Sequence, residues 1–425
     1  MENWQDISKK KCSRSYLEKE KPDRKELERL QRNIMERMDL SRQLSEEEIK
    51  DYIDEEILKE GKNKSLNLET RVLLKQEIFN AIRQLGILQN LINDPEVTEI
   101  MVNGTEPIFI ERQGKLEQLD LCFESVEKLN HVIQQIAAGC NRVINEAVPI
   151  MDGRLSNGSR VNVVLLPVAL NGPILTIRRF PEKPITMSEL IQYGSVSRQI
   201  SEFLSKLVQA GYNILISGGT GSGKTTFLNA LSGFIPVKER VITIEDSAEL
   251  QLQDQPNLVR METRNANVEG CREITIRDLI KTSLRMRQDR IIVGEVRGKE
   301  AVDMLQSVNV GHNAMTTVHA NSVKDVVSRL ETMVLMGMEL PIIAIRKQIV
   351  SGFDLMIHLG RLRDGSRKVL EIAEPLCVEK EEVKLHTIYR FQETKESKKG
   401  SIEGIFVKEG KLQNVEKLHA AGFKE

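Results

Sequence analysis

The chain of 425 residues contains 29% charged and 40% hydrophobic residues and has a net charge of −1 at pH 7. The length corresponds to about two or three domains, and the composition is that of an ordinary globular protein. The near-neutral charge provides no overall attraction to nucleic acid or anionic lipid, so nucleic acid is not an expected partner.

The five cysteines are scattered and form no C-x-x-C pair, which argues against a zinc module and against a disulfide framework. A reducing compartment is the simplest interpretation. No apolar run approaches the ~18–20 residues of a membrane-spanning helix, and the N-terminus lacks the apolar core of a signal peptide. The sequence therefore predicts a cytoplasmic protein that reaches the inner face of a membrane only through partners.

Residues 1–84 predict a charged, helical N-terminal extension. Residues 1–65 are rich in Lys, Arg and Glu, and Ser45–Glu48 has the pattern of a capping box that opens a helix. Apolar side chains recur at helical spacing in three segments: Leu27, Leu30, Ile34 and Met38; Tyr52, Ile53 and Ile57; Leu68, Val72, Phe79 and Ile82. We interpret these segments as a solvated extension in preference to a dedicated partner-binding arm.

Residues 85–180 predict a small α+β lobe. Four short strands are expected: 99–103, 108–111, 161–165 and 174–177. The first two flank a turn at Asn103-Gly104, and a helix is expected to begin at Ser125. The segment Phe180–Pro184 contains two prolines, which prevent a continuous helix or strand, so we predict the domain linker there.

Residues 181–378 alternate short apolar runs with helical segments, the pattern of an α/β domain around a buried parallel sheet. The predicted strands lie within five runs: 213–217, 241–244, 291–293, 314–318 and 355–358. Residues 379–425 are charged and show only weak strand signals, over 384–391 and 404–407. We predict a separate C-terminal tail there.

Residues 218–225 read GGTGSGKT, a complete G-x-x-x-x-G-K-[ST] phosphate loop between a predicted strand and a predicted helix. The glycines let phosphate oxygens approach backbone N–H groups, and the helix N-terminus favours the anion. Lys224 is expected to reach the β- and γ-phosphates, and the Thr225 hydroxyl to ligate Mg²⁺. The expected nucleotide-binding residues are Gly218, Gly219, Thr220, Gly221, Ser222, Gly223, Lys224, Thr225 and Thr226. No Asn-Lys-x-Asp motif is present, so ATP is the expected nucleotide.

Acidic residues follow two of the predicted strands. Glu295 ends an apolar strand, where a carboxylate can polarise the attacking water or hold a water on Mg²⁺. Glu245, Asp246 and Glu249 follow the strand at 241–244, and their mutual repulsion indicates a cation or an arginine nearby. A structural ion pair for Glu295 and a capped helix start for the cluster remain as alternatives.

Two histidines flank the predicted strand at 314–318, His312 before it and His319 after it. The polar residues at the end of this strand suggest that His319 senses the γ-phosphate, and a hydrogen-bonded core histidine is the alternative. Four arginines lie in the lobe just before the linker: Arg154, Arg160, Arg178 and Arg179. The guanidinium fork suits phosphate oxygens and stabilises phosphoryl transfer, whereas simple surface charge is the alternative.

These motifs, in this order, resemble those of the type II/type IV secretion ATPase superfamily. Within it, their amino-acid sequences are most similar to those of the tight-adherence (Flp) pilus assembly ATPases. The resemblance extends over about residues 85–378. The segments that carry it are 100–104, 154–162, 176–180, 217–226, 244–246, 249–252, 284–287, 289–290 and 294–297. The tetracysteine zinc insertion of type II secretion motors is absent from the sequence, which favours the pilus branch.

The resemblance implies a RecA-like P-loop domain in a homohexameric ring, with each ATP held between the N-terminal lobe and the P-loop domain. By matching position, Lys224 and Thr225 are the Walker A pair and Glu295 is the Walker B glutamate. Glu245 and Glu249 match the acidic "Asp box", and His319 matches the "His box". The family's lobe arginines, which touch the γ-phosphate, match four residues that the sequence leaves unranked: Arg154, Arg160, Arg178 and Arg179.

Three segments depart from the family pattern. Gln288 replaces a proline, Val308–Met315 differs from M-N-T-G-H-D-G-S, and Asn145 stands where aspartate is usual. None of these changes removes a group expected to contact the triphosphate, so they indicate a divergent member.

The expected function is a cytoplasmic ATPase motor that drives pilus assembly or protein secretion through inner-membrane platform proteins. The alternatives are an ATPase of conjugative or effector type IV secretion, a pilus retraction motor, a non-hydrolysing nucleotide-dependent scaffold and a DNA-handling ATPase. Steady phosphate release excludes the scaffold, and stimulation by DNA supports the DNA-handling enzyme.

Overall fold

The structure is a computed structural model, and it divides the chain into an N-terminal unit, Met1–Arg179, and a C-terminal unit, Phe180–Glu425. The residues that the structure describes are 29–30, 33–34, 37, 46–63, 71–72, 74–75, 78–79, 85–112, 114–179, 183–264, 272–394 and 402–423.

The N-terminal unit begins with helical structure whose main described element is α1, Glu46–Asn63. A small apolar cluster joins α1 to the helical segments around it: Leu30, Ile34, Ile49, Ile53, Ile57, Leu74, Ile78 and Phe79. The predicted helix over Tyr52–Ile57 is thus confirmed, whereas Val72 is 60% exposed and lies outside the cluster. The other residues named in these predictions lie outside the described ranges: Leu27, Met38, Ser45, Leu68 and Ile82.

The rest of the N-terminal unit is an α+β lobe built on one antiparallel sheet of order β3-β2-β1-β6-β5-β4. Its strands are β1 Val97–Asn103, β2 Phe109–Arg112, β3 Lys115–Gln118, β4 Ile150–Arg154, β5 Arg160–Val164 and β6 Ile174–Arg178, and its helices are α2 Leu88–Asn93 and α3 Val126–Gly139. The apolar residues of α3 pack with one face of the sheet. Ser125 caps α3, because its hydroxyl accepts the N–H of Lys128. The four predicted lobe strands and this helix are confirmed.

The C-terminal unit is an α/β domain on a nine-stranded sheet of order β15-β14-β13-β12-β7-β11-β10-β8-β9. Its strands are β7 Ile214–Gly218, β8 Val241–Glu245, β9 Leu258–Glu262, β10 Arg290–Val296, β11 Asn313–Val318, β12 Leu355–Arg361, β13 Arg367–Glu379, β14 Glu382–Glu393 and β15 Gly404–Lys408. Its helices are α4 Met187–Gln192, α5 Arg198–Gln209, α6 Lys224–Ser232, α7 Ile276–Ser283, α8 Ala301–Asn309, α9 Val323–Gly337, α10 Ile342–Gly352 and α11 Glu416–Ala420.

The parallel part of this sheet runs from β12 to β9. All five predicted apolar runs lie in its adjacent strands β12, β7, β11, β10 and β8, and most of their residues are buried. Helices pack apolar residues against both faces, in two separate core clusters. The parallel α/β core is therefore confirmed, and its strand ends place the P-loop and the acidic residues along one edge.

The boundary predicted at 378/379 does not separate a tail from the domain. Strand β13 crosses that position and pairs with β14, which in turn pairs with β15, so residues 382–408 extend the same sheet. Leu412 and Leu418 are buried in the core beside β7. The Lys417 ammonium, 2.6 Å from the Asp354 carboxylate, ties α11 to the residue before β12. The sequence missed this continuity because antiparallel strands with one solvated face carry many charges.

None of the helices within the described ranges combines the length and the apolar character needed to cross a membrane.

Candidate functional site

The P-loop connects β7 to α6 in the C-terminal unit, and its glycines are required by its shape. Gly223 caps α6 with a φ of 90°, in the left-handed region that favours glycine. A Cβ on Gly218 would lie 2.4 Å from the Ser222 Oγ and 2.5 Å from the carbonyl oxygen of Leu359. The loop therefore has the strand–loop–helix geometry that exposes backbone N–H groups to an anion.

Lys224 begins α6 and lies folded against the loop, with only 8% of its surface exposed. Its Nζ donates to the carbonyl oxygens of Gly218 and Gly219, each at 3.0 Å. The same Nζ lies 3.3 Å from Nε2 of His319. Burial lowers the pKa of Lys224, and the negative charge of Glu295 partly opposes that effect. Lys224 thus joins the P-loop to the residues at the ends of β10 and β11.

Glu295 and His319 are brought into direct contact by the pairing of β10 with β11. The Glu295 Oε1 lies 2.9 Å from the His319 Nε2. Burial is the main cause that lowers the pKa of His319, and the charge of Lys224 adds to it. A neutral imidazole donates its Nε2–H to the carboxylate, so His319 orients Glu295 beside the P-loop.

Glu245 is the last residue of β8, and its carboxyl group is turned into the protein. Its side chain is 3% exposed, and Oε2 accepts the backbone N–H groups of Glu249 at 2.7 Å and Leu250 at 2.8 Å. Within the described residues, Oε1 is buried without a hydrogen-bond partner. Burial raises the pKa of Glu245 to about 7 although the two N–H bonds oppose it. A Cβ on Gly294, the residue before Glu295, would lie 3.0 Å from the Glu245 Cγ.

The three acidic residues predicted to form one cluster point to different partners. Asp246 forms an ion pair with Arg297, which follows β10, and its Oδ1 accepts the Thr263 hydroxyl at 2.9 Å. Glu249 is half-buried, and its backbone N–H holds Glu245. Arg297 therefore supplies the arginine that the repulsion between these carboxylates indicated.

Three of the four lobe arginines form one row across the lobe sheet. Arg154 on β4 lies opposite Arg160 on β5, and Arg160 lies opposite Arg178 on β6. Residues directly opposite one another on neighbouring strands share a face, and like charges in such pairs repel. The Arg178 side chain is 57% exposed, with Glu99 at 3.7 Å. This row concentrates positive charge on the sheet face opposite α3.

Arg179 is not part of that row. It follows the last residue of β6, and its Nη1 donates to the carbonyl oxygens of Asp94 and Val97, the latter at 3.2 Å. Arg179 therefore fastens the N-terminal end of β1 to the end of β6. The structure thus places three arginines in one row, of which Arg154 also donates its Nε–H to the Gly158 carbonyl oxygen at 3.0 Å, and leaves Arg179 outside that row.

Sequence reasoning missed side chains that reach the P-loop from β12 and β13. The His358 Nδ1 lies 3.0 Å from the Ser217 hydroxyl, and the Arg367 Nε donates to the Gly221 carbonyl oxygen at 2.8 Å. These residues lie about 140 positions further along the chain than the loop. No spacing or motif in the sequence connects residues so far apart.

The fold and the loop together define a class of protein. A parallel α/β sheet with a P-loop after β7 and carboxylates at neighbouring strand ends is a RecA-like P-loop nucleoside triphosphatase fold. Residues 82–404 match the type II/IV secretion system protein family, and the chain belongs to this family.

Three known proteins are each similar to this chain over more than three quarters of their own length. A putative conjugal transfer protein of Mycobacterium tuberculosis is 33% identical over 313 residues, which are 72% of this chain and 88% of that protein. The type IV secretion system protein VirB11 of Brucella suis is 31% identical over 315 residues, 67% of this chain and 87% of that protein. The solved ATPase DotB of Yersinia pseudotuberculosis is 19% identical, with a TM-score of 0.51, over 68% of this chain and 77% of its own. The superfamily resemblance is thus confirmed.

Proposed function

We propose that this protein is a cytoplasmic, homohexameric ATPase motor that drives assembly of a pilus of the tight-adherence type through inner-membrane platform proteins. The observation that carries the ATPase proposal is the contact of Glu295 with His319, 2.9 Å apart, beside Lys224 of a complete P-loop. Family membership supports the motor proposal. The pilus type rests on the sequence resemblance given above.

The residues of the site fit ATP with Mg²⁺. Crowding at Gly218 and the positive φ of Gly223 require glycine at both positions. The backbone N–H groups of the loop are therefore not covered by side chains there and can surround a phosphate group. Thr225 lies in the first turn of α6, where its hydroxyl is available as a magnesium ligand. Glu295 adds a carboxylate that can hold a water of the metal. When bound, Mg²⁺ would neutralise charge on the phosphate oxygens.

Each residue has a proposed role in hydrolysis. Glu295 accepts a proton from the attacking water, and His319 keeps its carboxylate in place through the Nε2–H bond. Lys224 binds the phosphates, and Glu245 and Glu249 shape the acidic edge beside the loop. We propose that the row formed by Arg154, Arg160 and Arg178 neutralises charge on the γ-phosphate. Arg179 was a candidate for the same role, and its position outside the row, with its guanidinium bonded to two carbonyl oxygens at the start of β1, makes it the weakest of the four.

The test of the catalytic proposal is Glu295→Gln in the purified protein. Loss of the base should lower ATP turnover by about 10²–10⁴-fold while the dissociation constant for ATP stays close to that of the wild type. The matched control is Glu382→Gln, at an exposed side chain at the start of β14, which should hydrolyse ATP normally. Lys224→Ala should instead lose nucleotide affinity. Full turnover by Glu295→Gln would remove the role assigned to Glu295.

The biological role is tested in cells whose only copy carries Glu295→Gln. Surface pili sheared from these cells should be absent while the variant protein accumulates to the normal level. Pili that persist in cells whose purified variant has lost ATP turnover would contradict a role in pilus assembly.

A second candidate function is an ATPase of a type IV secretion or conjugal transfer system. The 31–33% identity to proteins with those names supports it. In the same Glu295→Gln cells, loss of an exported protein or of DNA transfer, with pili unchanged, would favour this function over pilus assembly.

A further inference from the structure

Two arginines of the β12–β13 hairpin flank the P-loop from within the same unit. Arg361, the last residue of β12, lies opposite Arg367, the first residue of β13. The Arg367 Nε donates to the Gly221 carbonyl oxygen at 2.8 Å, and its Cδ lies 3.3 Å from the position of a Cβ on Gly223. The Arg361 Nη1 lies 3.8 Å from the position of a Cβ on Gly221. Both side chains are exposed and adjoin the phosphate loop.

Among the described residues, no carboxylate forms an ion pair with either of these two arginines. In the part of the chain that the structure describes, neither Arg361 nor Arg367 forms an ion pair, whereas Arg363 in the turn between them pairs with Glu393. Like charges on directly opposite residues of an antiparallel pair destabilise it. An anion bound beside both guanidinium groups would convert this repulsion into attraction.

The hairpin that carries the arginines is held firmly. The Leu362 N–H donates to the Ser366 carbonyl oxygen at 2.8 Å. The Asp364 carboxylate accepts the backbone N–H groups of Ser366 at 3.0 Å and Ile402 at 2.7 Å. Hydrogen bonds from Ser366 and Ile402 lower the pKa of Asp364 to about 2, so the carboxylate stays ionised and keeps these bonds at neutral pH. The two arginines are therefore presented on a rigid support.

We propose that Arg361 and Arg367 form a second phosphate-binding pair, supplied by the same chain as the P-loop, that binds the phosphate groups of the nucleotide. The proposal rests on the nucleotide-binding function proposed above and adds residues to that site. A guanidinium fork matches phosphate oxygens and remains charged at every physiological pH. Arg367 has a further positioning role, because its Nε–H bond holds the Gly221 carbonyl group of the loop in place.

The test measures dissociation constants by calorimetry for Mg·ATP, Mg·ADP and inorganic triphosphate. Arg361→Gln and Arg367→Gln should each weaken binding by about 10-fold, which corresponds to about 1.4 kcal/mol, and the double variant more strongly than either. Inorganic triphosphate should lose affinity in parallel with ATP, because the pair binds phosphate and not the base. The matched control is Arg363→Gln, in the same hairpin, which should bind as the wild type does. Raising the NaCl concentration should reduce the difference in affinity between the wild type and the double variant, since salt screens exposed charges.

Three outcomes decide between the proposals. If the wild type binds Mg·ATP and the folded double variant binds it equally well, phosphate binding by the arginine pair is refuted and the proposed ATPase function is not affected. If only Arg367→Gln weakens binding, and Arg367→Lys does not restore it, Arg367 acts on loop geometry alone and the pair is again refuted. If the wild type binds none of the three ligands, the proposed function itself fails. Thermal unfolding of each variant shows whether it is folded.

Discussion

The buried carboxyl group of Glu245 makes the stability of the C-terminal unit depend on pH. Its pKa is raised from the ordinary 4.5 to about 7, mainly by burial. Replacing it by glutamine keeps an oxygen that accepts the N–H groups of Glu249 and Leu250 and removes the ionisation. Glu245→Gln therefore isolates the effect of the charge.

The sign and the size of this pH effect on stability follow from the pKa of Glu245 in the unfolded chain and in the folded protein. A group whose pKa is raised in the folded state contributes stability that is fully present below about 4.5 and is lost as the pH rises to about 7. At about 1.4 kcal/mol per pH unit, this interval corresponds to a loss of about 3 kcal/mol. Between pH 4.5 and pH 8, the free energy of unfolding of Glu245→Gln should therefore rise by about that amount relative to the wild type.

The assay is calorimetric unfolding at pH 5, 6, 7 and 8, without nucleotide or Mg²⁺, since a cation would stabilise the ionised carboxylate. For a unit of this size, 1 kcal/mol corresponds to roughly 2–4 °C in Tm. The Tm of Glu245→Gln, relative to the wild type, should therefore rise by roughly 6–12 °C from pH 5 to pH 8. Glu382→Gln, which changes an exposed side chain, serves as the control for the loss of one carboxylate.

A Tm difference between Glu245→Gln and the wild type that stays constant from pH 5 to pH 8 would refute this reasoning. It would mean that Glu245 ionises in the folded protein about as easily as in the unfolded chain, and that the group is not held in an apolar environment.

Two further predictions concern arginines with structural roles. Arg179→Ala should destabilise the lobe by about 1–3 kcal/mol, because backbone carbonyl groups lose a charged donor. Arg178→Ala, in the arginine row, should change the free energy of unfolding by less than about 0.5 kcal/mol. Equal losses of stability in Arg179→Ala and Arg178→Ala would contradict the structural role assigned to Arg179. Glu239→Ala should cost the C-terminal unit about 3–5 kcal/mol, because Glu239 makes two bonds, at 2.7 and 2.9 Å, to the fully buried Arg290. Denaturant unfolding measures both effects, and a loss below about 1 kcal/mol in Glu239→Ala would show that Arg290 finds another partner.

Much of the fold can be predicted from the sequence because its signals are local. The P-loop is a contiguous motif, and five apolar runs predict five strands that prove to be adjacent. In a parallel sheet the carboxyl ends of the strands share one edge. The sequence therefore predicts that residues following such strands, here Glu245, Glu295 and His319, lie on the P-loop side of the sheet.

The contacts among those residues cannot be predicted in the same way. Glu295 meets His319 because β10 and β11 are neighbours, and strand order follows from packing across the whole sheet. The four lobe arginines are equivalent in the sequence. Register places Arg154, Arg160 and Arg178 in one row and leaves Arg179, which follows the end of β6 and bonds to the carbonyl oxygens of Asp94 and Val97, outside it.

By itself, the sequence determined the class of the protein, the loop that binds phosphate and the strands that surround it, because each depends on residues close together in the chain. The tertiary structure alone decided that β13 to β15 extend the same sheet and that Arg367 reaches Gly221 from 146 residues away. Hydrogen bonding between distant strands fixes such neighbours, and no local pattern of residues records which strand will lie beside which.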